Sequence, residues 1–364
     1  MENMRALKIL QGAKTPTLET VEIPPVGPQD VLIKVKAAGL APGPFNLARI
    51  GRLTHLPMTL GHEVAGVVES VGNSVRHVQP GDRVRLHPGL SCRSCDLCLS
   101  DRDHMCAQCG MMGFQGFSND IPLFENYRNG GLADYVRAPE WAVDKLPENV
   151  SFELGSKVHD LATGLNVLRQ ADLQPGSTVI VTACTGAMGA SVLKLATFFG
   201  IHRLVLVGRS TERLQDVAKL TGIPCDIVAT DQLSEDWATK GGLVKSLKSL
   251  LPGGADAIID LMPSGQAILQ VVQALRTNGV LVHIGGNSAS FDLPMVLFMA
   301  NCWRIVGTRM HSRRDAKTIL KWLQEGRFSA EDLITHRWEF DQWNEALALL
   351  QDRSEPMYMS VILP

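Results

Sequence analysis

TVIVTACTGAMGASVLKLATFFGIHRLVLVGRSTER, residues 178–213, is the stretch whose reading decides the fold. TVIVTA is β-branched and apolar without interruption, the signature of a parallel strand buried on both faces. The turn ACTGAMG follows at once. Val192, Leu193, Leu195, Ala196 and Phe199 then recur at helical spacing, and Gly200 stands where a helix stops. LVLVG supplies a second buried strand. Ala183, Gly186 and Gly189 have the three-then-three spacing of the dinucleotide fingerprint, with alanine in the first glycine's place. Small residues there let the backbone turn sharply and approach a pyrophosphate, which sits on the first N–H groups of the helix. The stretch reads as a nucleotide-binding unit.

Working outward, ERLQDVAKLTG, CDIVA, LVKSLKSL, ADAIIDLM, AILQVVQALRTNG and VLVHIGG alternate helix and strand, which predicts an open, doubly wound parallel sheet with helices on both faces. Upstream, KVHDLATGLNVLRQADLQPGS reads as a helix running to a Pro-Gly stop. Before it the chain changes character. Residues 5 to 36 are β-rich, with VLIKVKA alternating as a half-buried strand. APGPFNLARIGRLTHLPMTL is mostly loop, with room for a short helix at FNLARIG, and GHEVAGVVESVGNSVRHVQPGDRV describes strands turning tightly in a small β barrel. Beyond Phe291 come the apolar run FDLPMVLFM, a strand at WRIVGT, helices at RDAKTILKWLQEG and QWNEALALLQ, and a closing strand YMSVILP.

The strongest local signal is CRSCDLCLSDRDHMC. Cys92, Cys95, Cys98 and Cys106 form two CxxC steps that share a cysteine, with a fourth thiol eight residues on. Four thiolates so spaced wrap one Zn²⁺ tetrahedrally and leave no open position, so the site is expected to be structural. Cys109 and His104 are bystanders in this reading. Five of the eight cysteines fall between Cys92 and Cys109, and in a reducing compartment such clustering points to metal rather than disulfides.

The whole chain bounds the rest. Its 364 residues suffice for two domains and its 45% hydrophobic content for sizeable cores. A net charge of −2 offers no basic footprint for nucleic acid or an anionic membrane. MENMRALKIL has no signal-peptide pattern and no apolar run reaches a membrane span, so a soluble, cytoplasmic protein acting on a small molecule is expected.

GHEVAGVVESVGNSVRHVQPGDRV, the four-cysteine lobe, GGLADYVRAP, the helix leading to PGSTVIV and the AxxGxxG turn together resemble the zinc-type medium-chain dehydrogenase/reductases, the alcohol dehydrogenase superfamily, over essentially the entire length. The resemblance implies an α/β-plus-β fold: a GroES-like β-barrel catalytic domain with an inserted Rossmann domain. The expected boundaries are 1–155 for the barrel with its zinc lobe at about 89–110, 156–297 for the Rossmann domain, and 298–364 for the return to the catalytic domain. It also implies an active cleft between the two and hydride transfer between nicotinamide C4 and a carbonyl, alcohol or activated alkene carbon. A homodimer or homotetramer is implied too, because FDLPMVLFM resembles the segment through which relatives pair their Rossmann sheets edge to edge.

The cofactor residues carried over are Thr163, Gly186, Ala187, Met188, Gly189, Gly208, Arg209, Ser210, Arg213 and Gly285. NAD-preferring relatives place an acidic residue at the end of the second Rossmann strand. Gly208 stands there instead, with Arg209 beside it to take the extra phosphate of NADP and Arg213 one turn on, so NADP(H) is expected.

The catalytic pattern departs from the family's. Ala41 stands where relatives have a zinc-ligating cysteine, and Gly43 where they have a proton-relaying Ser or Thr. His62 of GHE is intact, Glu63 follows it, His159 with Asp160 occupies the third ligand position, and Asn46 falls near the second relay position. One expectation is a metal-free site that polarises substrate through His62, His159, Asn46 or water, with one structural zinc per chain. The alternative is a rearranged zinc site on His62 and His159, with Glu63 as an optional further donor. The metal-free expectation favours NADPH-dependent reduction of a carbonyl or conjugated alkene. Phe45, Met111, Phe114 and Phe117 near the expected cleft suggest a moderately hydrophobic substrate, and equally a packed core. A catalytically inactive nucleotide-binding relative is the reading outside enzymology.

Overall fold

The computed structural model describes residues 2–118 and 121–364. The chain divides into two compact units, Met1–Ala162 with Met310–Pro364, and Thr163–Arg309.

The first unit is built on a sheet of strand order Val143–Lys145, Arg83–Leu86, Val64–Val71, Asp30–Gly39, Met359–Leu363, Ile334–Glu339, with Tyr135–Pro139 also pairing to Asp30–Gly39. In Asp30–Gly39 the alternation holds only at its middle: Ile33, Val35 and Ala37 are buried while Lys34 and Lys36 are exposed. Two register shifts against Val64–Val71 bend and twist this pair, as bulges do where a sheet must curl. The closing strand lays Val361 opposite Gly39 and Ile362 opposite Ala38, which returns the chain's end to the unit where it began. FNLARIG lies largely within the helix Pro42–Arg49.

The second unit is a six-stranded parallel sheet of order Cys225–Ala229, Arg203–Gly208, Thr178–Thr182, Ala255–Asp260, Leu275–His283, Arg304–Gly307. Val179, Ile180, Val181 and Thr182 have no solvent exposure, as the apolar run predicts. Gly200 takes φ 64 and ends the helical segment that begins at Ala187.

Two segments differ from the sequence reading, and the apolar run beyond Phe291 takes a form that reading left open. The helix expected to run to the Pro-Gly stop is Phe152–Gln170 and ends earlier, where Asp172 takes φ 50. AILQVVQALRTNG keeps only Ile268–Val271 as α-helix and Val272–Ala274 as a 3₁₀ turn, and Leu275 already opens the next strand. Its paired β-branched Val271 and Val272 weaken a helix, while Leu275 pairs with Ala255 across an irregularity in the ladder. FDLPMVLFM is a loop followed by the helix Met295–Asn301, with Met295 and Met299 more than 70% exposed.

Candidate functional site

The cysteine lobe is held by a sheet of three two-residue strands, Gly89–Leu90, Gly110–Met111 and Gln115–Gly116. The four Sγ atoms of Cys92, Cys95, Cys98 and Cys106 lie within 4.8 Å of one another. Measured separations are 3.6 Å for Cys95–Cys98, 3.8 Å for Cys92–Cys98 and 3.9 Å for Cys95–Cys106. A tetrahedron with Zn–S bonds of about 2.3 Å has edges of about 3.8 Å, so the thiols fit that ion. Backbone N–H groups of Cys95 and Gln108 donate to Cys92 and Cys106. Contacts from Ser94 and Cys95 lower the Cys92 thiol to about 6, while burial pushes Cys98 up to about 12. A cation among them would hold all four as thiolates. Cys109 lies outside this set, its Sγ 4.0 Å from Met310 Sδ.

A second group is buried in the same unit. His62, Glu63 and His159 are at most 6% exposed, and one donor atom from each lies within 4.8 Å of the others. His62 Nε2 is 3.7 Å from Glu63 Oε1. Glu63 fits only because residue 39 is glycine, where a Cβ would overlap the carboxylate. The ring of Phe114 stacks on His62 at 5.4 Å between centroids. His311 Nδ1 is 3.0 Å from the carbonyl of Ser312, and its Nε2 is 3.1 Å from His159 Nδ1. A carbonyl only accepts, so Nδ1 of His311 carries its proton. Burial holds both imidazoles neutral, His311 and His159 lying well below the usual histidine range. His311 Nε2 therefore accepts from His159 Nδ1–H, and His159 Nε2 keeps its lone pair. Fixing one nitrogen so that the other presents a lone pair is how metal-ligating histidines are oriented.

Lys157 completes the group. It is 1% exposed, and its ammonium donates to Glu63 Oε2 and lies 2.7 Å from Asp160 Oδ2, one turn along the same helix. Burial lowers the lysine, but Asp160 and Glu63 outweigh it and keep it protonated. Two carboxylates then face one ammonium. With both carboxylates ionised the cluster is one positive charge short, and burial, with Asp160 next, pushes the Glu63 carboxyl up to about 8, so that a proton makes up the charge at neutral pH. Glu63 Oε1 and His62 Nδ1 are buried with no hydrogen-bond partner among the described residues. Two imidazoles and a carboxylate are a zinc donor set, and a cation there would use Glu63 Oε1 and supply the missing charge. The second group thus fits a divalent ion, although Ala41 contributes no donor.

In the second unit, Gly189 sits where a Cβ would lie 2.0 Å from the carbonyl oxygen of Cys184, and Ala183 takes φ 49. The helix Ala187–Ala196 starts at Gly186 with no side chain capping it, which leaves its N-terminus as an anion cradle. Gly208 closes the strand Arg203–Gly208, Arg209 is exposed, and Ser210 caps the helix Thr211–Ala218 by accepting from the Arg213 N–H. Asp231 lies nearby but accepts from the Thr211 N–H and hydroxyl. At Gly285 a Cβ would lie 2.2 Å from the carbonyl oxygen of Met262. Gly186–Gly189, Gly208–Arg213 and Gly285 all follow the carboxyl ends of their strands, where open α/β sheets bind ligands. These residues fit a dinucleotide. Thr163 is buried on the helix Phe152–Gln170.

Some candidates stand apart. Asn46 is exposed, and no side-chain hydrogen bond joins it to the histidines among the described residues. Phe45 belongs to the hydrophobic core, and Phe117 and Met111 pack with the cysteine lobe. Phe114 is the one seen to stack on His62. Sequence reasoning missed Lys157 and His311. The first left a faint signal, a lysine two residues before His159 and three before Asp160, at the i,i+3 spacing of a helical ion pair. The second left none, being 152 residues from its partner.

Comparisons with known proteins agree with this layout. Residues 27–148 match the family Alcohol dehydrogenase GroES-like domain, and residues 187–325 match Zinc-binding dehydrogenase. The chain is 30% identical to L-idonate 5-dehydrogenase of Vitis vinifera over 345 residues, 94% of this chain and 89% of that one. Among solved structures it resembles a protein of Sinorhizobium meliloti 1021 crystallised with NADP, at 22% identity, TM-score 0.82 and full coverage of both chains. An NAD-dependent alcohol dehydrogenase aligns at 25% identity and TM-score 0.83, with 99% of each chain covered. A GroES-like unit joined to a doubly wound nucleotide unit defines an oxidoreductase. The chain belongs to the medium-chain dehydrogenase/reductase superfamily, of the zinc-binding alcohol dehydrogenase type.

Proposed function

We propose that this chain is an NADP(H)-dependent oxidoreductase interconverting an alcohol and a carbonyl, with a structural zinc on its four cysteines and a second zinc on His62, Glu63 and His159. The observation that carries it is the convergence of those three donors around a buried, unpartnered Glu63 Oε1 in a cluster one positive charge short. A zinc ion so held supplies Lewis-acid polarisation of a substrate oxygen, and a nicotinamide supplies hydride chemistry at C4. The protein's own part is positional. His311 holds the tautomer of His159, Lys157 pins one oxygen of Glu63 and leaves the other to act as donor, and Phe114 shields one face of His62 from water.

A metal-free reductase of a carbonyl or conjugated alkene is the second reading, favoured by Ala41 and by the ammonium of Lys157 beside the donors. Elemental analysis separates the two, at two zinc ions per chain or one. Turnover with NADPH should be tested against ketones, enones and quinones. The relative named for L-idonate adds secondary alcohols of sugar acids to that panel.

The cofactor preference is proposed from Gly208 and Arg209. A carboxylate at 208 repels a 2′-phosphate, and a hydrogen bond to a charged group contributes about 1.5–3 kcal/mol. Gly208→Asp with Arg209→Ser is expected to lower kcat/KM with NADPH by at least about tenfold and to raise it with NADH. The new Cβ would lie 3.0 Å from Leu214 Cδ2, a side chain able to shift. Wild-type efficiency already higher with NADH would overturn the assignment.

A homodimer is proposed from the open edge of the parallel sheet. Arg304–Gly307 is its last strand, and Ile305 within it and Met295, Val296 and Met299 on the preceding helix are 45–78% exposed, apolar exposure typical of interfaces. Met299→Glu with Ile305→Lys is expected to bring the mass in solution down to that of one 39.6 kDa chain. Sedimentation checks it, and a monomeric wild type would sink the idea.

A further inference from the structure

The carboxyl edge of the parallel sheet carries a hydrogen-bonded row that the functional reading above leaves unused. Thr182, Asp260 and His283 are register partners across three adjacent strands and stand at or within a residue of their ends. Asp260 has no solvent exposure. Its Oδ1 accepts from Thr182 Oγ1 at 2.5 Å and from the Met262 N–H at 3.3 Å, and its Oδ2 is 2.6 Å from His283 Nδ1. Thr182 Oγ1 in turn accepts from the Leu261 N–H. A carboxylate with these partners accepts only, so Nδ1 of His283 bears the proton and Nε2 carries the lone pair of the neutral ring. The His283 side chain is 31% exposed. With its Nδ1 edge tied to a buried carboxylate, the accessible edge is that of Nε2.

Topology says what that edge faces. Strand order reverses between Thr178–Thr182 and Ala255–Asp260, and ligands of open α/β sheets lie outside the carboxyl ends at such a reversal. Gly208 and Arg209 end a strand on one side of the reversal. The uncapped helix start after Thr182 lies at the reversal. His283 ends a strand on the other side, two strand spacings from Thr182, about 10 Å. A dinucleotide whose adenosine end lies at Arg209 and whose pyrophosphate lies on the helix start extends its second half toward His283.

We propose that His283, oriented by Asp260, accepts a hydrogen bond at Nε2 from the nicotinamide-nucleotide half of the bound cofactor, from a ribose hydroxyl or the carboxamide. The proposal rests on the dinucleotide reading of this unit. A buttressed, partly exposed imidazole is otherwise an expensive way to end a strand, since the fully buried aspartate needs three donors to be satisfied.

The test is calorimetric titration of wild type, His283→Leu and His283→Gln with two ligands. These are the whole dinucleotide, NADP⁺ or NAD⁺ as preferred, and its adenosine fragment, adenosine 2′,5′-bisphosphate or ADP. His283→Leu is expected to weaken the dinucleotide about tenfold, the worth of one hydrogen bond, and to leave the fragment within about twofold. His283→Gln, which keeps an acceptor, should recover part of the loss. Equal affinity of wild type and His283→Leu for the dinucleotide overturns the contact while the nucleotide reading stands. Parallel loss of both ligands also overturns it and marks His283 as structural. Failure of wild type to bind either ligand overturns the nucleotide reading and this inference with it.

Discussion

Replacing His159 by alanine is expected to take the protein from two zinc ions per chain to one and to lower kcat/KM by about a thousandfold. His159 is one of three donors, and its Nε2 lone pair is available only because His311 holds the opposite nitrogen. With Ala41 contributing nothing, the remaining pair is a single imidazole and a carboxylate already shared with Lys157. Lewis-acid polarisation is worth several kcal/mol of transition-state stabilisation, and about 4 kcal/mol is a factor of a thousand in rate. The fold should survive, because the loss leaves one orphaned nitrogen on His311 at a cost of about 1–3 kcal/mol. Elemental analysis beside steady-state kinetics checks the result. One zinc ion per chain in wild type would instead favour the metal-free reading.

Cys98→Ser should act on stability rather than chemistry. The lobe's sheet is three strands of two residues each, and its buried cluster is Cys106, Cys109, Met111 and Met310, with Phe114 and Phe117 packed against it. Structural zinc contributes about 10–16 kcal/mol to folding in small zinc-finger peptides, comparable to the whole stability of an ordinary domain, about 5–15 kcal/mol. Even a third of that predicts a fall in Tm of roughly 10 °C or more, with proteolytic cutting between residues 89 and 116 and one zinc ion lost. An unchanged Tm and zinc content would show that the four thiols do not share an ion.

Much of the architecture was legible because it is written in local periods. The apolar strand Thr178–Thr182, the glycine turn and the helix ending at Gly200 are each set by residues within a few positions of one another, and they stand where the spacing put them. The same holds for the four cysteines, whose convergence follows from two CxxC steps. The misread segments are those where a local preference met a distant partner. Leu275 joined a strand because Ala255 lay opposite it. Among the described residues no helix is long and apolar enough to cross a membrane, in keeping with the hydropathy of the chain.

By itself, then, the sequence determined the family, the two kinds of unit and the cysteine and glycine motifs, because the residues of each motif are neighbours along the chain. The tertiary structure decided what surrounds the altered site. Ala41 and Gly43 showed only what had been lost. That Glu63 meets Lys157 across 94 residues and that His159 meets His311 across 152 depends on which elements the fold lays side by side. Charge balance and tautomer, the quantities on which the proposed second zinc turns, are properties of that packing and have no signature in spacing.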